Sequence, residues 1–421
     1  MIRSLRFIGN LLFIIILLAI LFSYAMFQGG FVSWFLFYSF SPILLYHLLL
    51  NLYPIKGWQI TRNISKRIVQ AGDSIYVTLS VRRKFPFPLY YGVFEEKLSE
   101  TLNRKDLKHH NYTFINTPEK LIIKRRVKEI MVIGFRKNFQ ISYQLEGLPR
   151  GQHELRHVRV LVSDVFGFVK KEHTFSLEDV LIVQPNERAV KLLDTAVNFE
   201  HGQTAVHNFH LQNMNVATGV REYAPGDRFS WIHWKQTAKN QTVMTKEFEQ
   251  ERSNSILVVL DASQVNRKNP LAFEASVELS VSLLSTLRKN AADLELLVVG
   301  KEIKNFSLKE SSFTYEEVRH YLTGIQSDGH QPFPLLMKDW MRQRRLERLI
   351  ILTNNIDDSF AQLILELRLW TAQIVIFYLQ GSAFISENEK EWIAKMKKEG
   401  TTIHVFTETE LTTDPLEVNV R

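Results

Sequence analysis

Between Arg221 and Lys239 the sequence places its densest run of side chains able to do chemistry: Arg221, Glu222, Tyr223, Pro225, Gly226, Asp227, Ile232, His233, Trp234, Lys235, Ala238 and Lys239. Pro-Gly predicts a tight turn, Asp227 can cap a following helix, the Arg and Lys side chains can hold an anion, and Trp231 and Trp234 can anchor in apolar space. Two readings follow. In one, Arg221, Asp227, His233 and Lys235 form an anion pocket that binds a ligand or moves protons. In the other, they form a buried ion-pair and hydrogen-bond network that holds the segment against a neighbouring sheet. No residue is assigned as catalytic. A second set lies further on. Asp261, closely followed by Ser263, ends the apolar run Ser255 to Leu260, and Thr353-Asn354 ends another. In open α/β sheets ligands bind beyond the carboxyl ends of strands, so these four residues mark either an ion site or an interaction surface.

The common nucleotide and hydrolase signatures are missing: there is no Gly-X4-Gly-Lys-Ser/Thr loop, Gly-X-Gly-X-X-Gly turn, His-Glu-X-X-His helix or Gly-X-Ser-X-Gly elbow. Zero cysteines exclude a disulfide framework, a thiolate zinc site, an iron–sulfur cluster and a cysteine nucleophile.

The elements that must position these residues divide the 421-residue chain into a membrane end and two folded parts. From Phe7 to Ile55 there is no Asp, Glu, Lys or Arg, enough for two crossings at about 20 residues each. The break falls at Gln28-Gly29-Gly30. Residues 1–55 therefore read as a helical hairpin, and Arg3, Arg6, Lys56, Arg62, Lys66 and Arg67 at its flanks place both termini in the cytoplasm. A cleaved signal peptide is the competing reading, but a second apolar run follows at once with no small-residue cleavage pattern. Residues 56–186 alternate in short runs, as in Ile75, Val77, Leu79 and Val81, with further strands expected at 90–95, 121–128, 139–145, 153–161 and 170–175. That pattern predicts a β-sandwich-like unit. Residues 187–254 read as a linker carrying the Arg221 to Lys239 motif. Residues 255–421 alternate continuous apolar strands with helices, the signature of a doubly wound α/β domain.

Charge is uneven. Lys56 to Arg150 holds 19 Lys/Arg against 8 Asp/Glu, whereas Gly151 to Arg421 holds 31 against 36. The basic part follows the hairpin directly, so anionic lipid headgroups are the expected partner and nucleic acid is not.

With Arg221-Glu-Tyr, Pro225-Gly-Asp227, Ile232-His-Trp234 and Ala238-Lys239, the chain resembles the family called domain of unknown function 58, membrane-anchored bacterial proteins. Arg150-Gly151 and Asp164-Val-Phe-Gly-Phe168 in the β-rich part extend the likeness over nearly the whole chain. Three departures stand out: Ser230 for the family's Arg, His233 for its acidic residue, and Lys239 for the Arg after Ala238. The C-terminal part is similar to a von Willebrand factor type A domain, a family that binds magnesium through Asp-X-Ser-X-Ser, a distant Thr and a later Asp. Asp261, Ser263 and Thr353 match, while Val265 and Asn354 replace donors, so the implied magnesium site is degenerate and no cofactor is expected. The resemblance also implies a MoxR-type AAA+ ATPase as partner, with a transglutaminase-like membrane protein in the same pathway. The expected function is a non-catalytic docking platform in envelope or stress-related assembly. An enzyme or ligand sensor using the Arg221 to Lys239 segment is the alternative.

Overall fold

The computed structural model describes residues 2–192, 216–224, 227, 229–249, 255–263, 269–289, 293–308, 312–341, 344 and 346–418. Two helices, α1 (Ile2–Gln28) and α2 (Phe31–Leu52), fold back on each other at Gly29-Gly30, with Phe22 and Phe37 meeting edge-on at 5.7 Å. Both are long and apolar enough to cross a membrane, and much of their apolar surface is exposed.

Eight strands follow: β1 (Gln59–Ile64), β2 (Ile68–Gln70), β3 (Ile75–Arg82), β4 (Leu89–Lys97), β5 (Val127–Gly134), β6 (Asn138–Leu145), β7 (Gly151–Ser163) and β8 (Lys170–Gln184). They form two sheets, β1-β3-β6 and β2-β8-β7-β4-β5, which contribute to one apolar core. The period-2 pattern works as expected: Ile75, Val77, Leu79 and Val81 are all buried on one face of β3. A buried polar node joins the sheets. Arg62 of β1 donates to Glu96 of β4 at 2.6 Å and to Asp179 of β8 at 2.9 Å, and Tyr143 of β6 donates to Glu96 at 2.7 Å. One expected strand is displaced. Residues 118–121 form a 3-10 turn and β5 begins only at Val127, because Arg125 donates to the carbonyls of Arg104 and Glu146 and holds the basic run out of a ladder.

The remaining elements are β9 (Val190–Leu192), β10 (Val216–Glu222), α3 (Trp234–Asn240), β11 (Met244–Glu249), β12 (Ser255–Asp261), α4 (Pro270–Leu287), β13 (Asp293–Val299), β14 (Ile303–Ser307), α5 (Ser312–Gly324), α6 (Phe333–Met341), β15 (Leu346–Thr353), α7 (Asp358–Leu367), β16 (Thr371–Leu379), α8 (Glu387–Lys398), β17 (Thr402–Phe406), α9 (Glu408–Leu411) and β18 (Leu416–Val418). A six-stranded sheet runs β14-β13-β12-β15-β16-β17, parallel except for the antiparallel edge β14. Its central strands are apolar on both faces. Ile256, Val258 and Leu260 share a core with α4 and α5, while Leu257 and Val259 share one with α6, α7 and α8.

The 187–254 segment is not a free connection at its start. Strand β9 pairs in parallel with β18, and Arg188 is buried beside α4. The β-rich part also enters the C-terminal core: Tyr112, Ile115 and Leu121 pack among α4 residues, and Asn269 donates to the Ile115 carbonyl at 2.6 Å. The two sheet systems are therefore wedged together, which alternation alone could not reveal.

Candidate functional site

The Arg221 to Lys239 motif forms a small unit of its own. Strands β10 and β11 pair antiparallel, with Arg221 opposite Thr245, and a 3-10 turn and α3 lie between them. Arg221 meets Asp227 at 2.6 Å, and Asp227 also accepts the Ala224 amide at 3.0 Å. That amide and the Arg221 guanidinium hold the Asp227 carboxyl below its usual range. Pro225 and Gly226, where the turn is expected, lie outside the described residues. His233 has a different task. Its Nδ1 accepts the Gln236 amide at 3.1 Å as the cap of α3, and its backbone amide donates to the Met244 carbonyl at 2.8 Å. Thr237 completes the knot by donating to the His233 carbonyl and accepting the Met244 amide. Ile232 and Met244 are buried within the unit.

The polar motif residues thus hold the hairpin's own shape. What they present outward is apolar and basic. Phe229 is 78% and Trp234 70% exposed, with Glu222, Lys235, Ala238 and Lys239 exposed and Tyr223 half-buried, its ring stacked on Phe229 at 6.2 Å. The tryptophan expected to fill core space at 234 lies instead on the surface, at the first position of the short helix α3.

The second candidate set does come together. Asp261 and Thr353 end the adjacent parallel strands β12 and β15, where the strand order changes direction. Thr353 donates to one Asp261 carboxylate oxygen at 2.8 Å and the Ser263 amide to the other at 3.0 Å. Gly329 approaches so closely beside Ser263 that a Cβ there would sit 2.9 Å from the Gly300 carbonyl carbon. Burial pushes the Asp261 carboxyl up, against those hydrogen bonds. The expectation of Asp261 and Thr353 as an interaction surface needs correcting on this point. Both side chains are buried, and only Ser263 and Asn354 are partly exposed.

These donors do not fit a magnesium ion, which requires about six oxygens in near-octahedral array. Both Asp261 oxygens accept protein hydrogen bonds, Asn354 carries no charge, and Val265, outside the described residues, has no side-chain oxygen. No group of three metal-ligating acidic or histidine side chains occurs among the described residues. Millimolar magnesium is therefore expected to leave the unfolding temperature where excess chelator leaves it. A rise with magnesium that is lost in Asp261→Ala would contradict that reading.

A third cluster was not anticipated. Helix α4 is uncharged apart from Glu274 and Glu278, one turn apart and facing the β-rich part. Glu274 accepts from Arg150 at 2.8 Å and from Arg104 at 3.3 Å. Glu278 accepts from Arg188 at 2.6 Å and Tyr112 at 2.7 Å. Arg150 also donates to the carbonyls of Leu322, Thr323 and Ile325, capping the end of α5. Two carboxylates four residues apart in an otherwise uncharged helix were the available sequence signal.

The two carboxyls titrate in opposite directions. For Glu274, burial pushes up but Arg150 and Arg104 prevail, bringing it to about 2. For Glu278, burial prevails over Arg188 and Tyr112, raising it to about 7. A raised folded-state value means that Glu278 contributes stability at acid pH and loses it as pH rises from about 4.5 through about 7. Glu278→Gln, which stays neutral, is expected to flatten this decline in unfolding scans between pH 5 and 8. An unchanged slope would show that Glu278 is ionised throughout that range.

The profile of the family described as "Protein of unknown function DUF58" matches residues 219–331, which include the motif hairpin and the first half of the parallel sheet. A curated relative, the uncharacterized protein YeaD of Bacillus subtilis (strain 168), is 36% identical over 326 residues, spanning 77% of this chain and 76% of that protein. The chain belongs to this DUF58 family. Among solved structures, the PilB minor pilin from Streptococcus sanguinis aligns over 77% of this chain and 85% of its own at 8% identity and a TM-score of 0.28. The sporulation control protein Spo0M from Bacillus subtilis aligns over 30% and 49% at 13% identity and a TM-score of 0.13. Likenesses at that level carry no argument about fold or function.

Proposed function

We propose that this chain is a two-pass bacterial membrane protein with both termini and its folded parts in the cytoplasm, acting without catalysis of its own as a docking platform. The partner we propose is a MoxR-type AAA+ ATPase in envelope or stress-related assembly, with a transglutaminase-like membrane protein in the same pathway. The observation that carries this reading is the motif hairpin. Its polar groups close on one another while the aromatic rings of Phe229 and Trp234 stand out into solvent, as side chains that anchor protein interfaces do. The helical hairpin and the basic region behind it support the membrane placement. Strand order and the Asp261–Thr353 pair support a von Willebrand factor type A-like C-terminal domain that has lost its metal. The sandwich-like β unit would hold that domain at the membrane. An enzyme or ligand sensor at Arg221 to Lys239 has less support, because Arg221 and Asp227 neutralise each other and His233 is occupied as a helix cap.

The test is capture of the solubilised full-length chain from native membranes, with and without ATP, followed by mass spectrometry. Enrichment of an AAA+ protein whose retention depends on nucleotide is expected. Its reproducible absence, with other membrane complexes intact, would overturn the proposal.

A further inference from the structure

The loop between β7 and β8, Asp164-Val-Phe-Gly-Phe168, is the one sequence motif that the site above does not use. Asp164 organises it from inside, accepting the Val169 amide at 2.9 Å and the Phe166 amide at 3.2 Å. It also reaches the helical hairpin: His47 of α2 meets Asp164 at 2.9 Å, with both side chains buried. Asn10 of α1 donates to the Phe168 carbonyl at 3.4 Å, and Lys171 donates to the Asn51 carbonyl at 2.7 Å and to the Tyr53 carbonyl. The loop is thus fastened to both helices. Yet Phe166 is 67% and Phe168 68% exposed.

Height along the helix decides what surrounds those rings. His47 precedes the end of α2 by five residues, about 8 Å along the axis, and Pro42 precedes it by ten, about 15 Å. Phe166 shares one cleft with both, and its ring lies 6.4 Å from that of His47. Half an apolar bilayer core is also about 15 Å deep. Nearer the helix end, the turn before β4 packs on α2 through Phe87, stacked on Tyr46 at 5.6 Å, and on the residue just past the helix, Tyr53, which donates to the Phe85 carbonyl at 2.8 Å. Buried Arg83 ties that turn to the next by donating to the Phe87 and Gly134 carbonyls. The two turns expose Phe85 together with Lys84 and Arg136.

We infer that the Asp164 to Phe168 loop is a membrane-inserted element that places Phe166 and Phe168 among the acyl chains of the cytoplasmic leaflet, with Lys84, Phe85 and Arg136 at the headgroups. This rests on the two-pass reading of the hairpin. Exposed aromatic rings at acyl depth lose contact with water only if lipid covers them, and a basic rim suits an anionic leaflet. The His47–Asp164 pair fixes the loop's depth. The folded part is accordingly seated in the bilayer surface at three points rather than tethered through Lys56 alone.

The chain has no cysteine, so single-cysteine labelling needs no background removal. Full-length Phe166→Cys, Phe168→Cys, Ile20→Cys and Leu369→Cys would each carry a fluorophore in nanodiscs of phosphatidylethanolamine and phosphatidylglycerol. Quenching by spin-labelled lipid is then compared with quenching by aqueous iodide. The inference expects Phe166 and Phe168 labels to follow Ile20, with several-fold stronger lipid than iodide quenching, and Leu369 to show the reverse. Lipid quenching at Ile20 with iodide quenching at both loop positions would overturn the inference and leave the two-pass reading standing. Iodide quenching at Ile20 would overturn both. Shielding of the loop labels from both quenchers would mean that protein rather than lipid covers them, and would also overturn it.

Discussion

Glu274→Ala is expected to be among the most destabilising single substitutions outside the helical hairpin, at about 3–5 kcal/mol, the cost of leaving buried charges without their partner. Arg150 keeps only 7% of its side chain exposed and Arg104 24%, and both meet this one carboxylate. With Glu274 gone, Arg150 retains its three carbonyl acceptors at the end of α5 but no counter-charge. Because Arg104 and Arg150 belong to the β-rich part and Glu274 to α4, the loss falls on the seam between the two sheet systems. Chemical unfolding of the detergent-solubilised chain should show a lower midpoint, and limited proteolysis should newly cleave within residues 104–121. A loss below about 1 kcal/mol, the range of exposed surface pairs, would show that this seam does not hold the parts together.

Replacing Phe229 and Trp234 together by Ala should have the opposite profile: little change in unfolding, and loss of partner binding. Their side chains are mostly in solvent, and the Arg221–Asp227 pair, the His233 cap and the buried Ile232 and Met244 do not depend on them. Exposed aromatic anchors that become buried in an interface each contribute about 2 kcal/mol or more, roughly thirtyfold in affinity. Titration of the proposed ATPase partner against wild-type and doubly substituted chains in nanodiscs measures this. Equal affinities would move the docking surface away from the motif. Ile232→Ala serves as contrast, since it should weaken the hairpin's own fold and with it any binding.

The parts of this architecture written in hydrophobic period were readable from the sequence. The uncharged run from Phe7 to Ile55, the alternation in Ile75 to Val81 and the apolar runs ending at Asp261 and Thr353 each fix an element locally, and each appears where expected. Strand β14 falls outside that pattern, because a short edge strand with mostly exposed residues, including Lys304, carries no burial signal. The seam was missed for a different reason. Tyr112 and Glu278 are 166 positions apart, and nothing local to either indicates the other. At the motif, residue types announced hydrogen bonding and charge, but which groups would satisfy one another depends on how β10, α3 and β11 close. That closure assigned Asp227 and His233 to the turn and the helix cap, and left Trp234 outside.

The most direct test of the platform account is a photoreactive amino acid placed at Trp234 in the full-length chain and activated in native membranes, with Leu369, also exposed but remote in sequence, as the control position. The account predicts a cross-link from position 234, and not from 369, to an AAA+ ATPase, with a yield that changes when ATP is depleted. An ATPase that co-purifies with the chain yet never cross-links at 234, or cross-links equally from both positions, would contradict the claim that this motif is the docking surface.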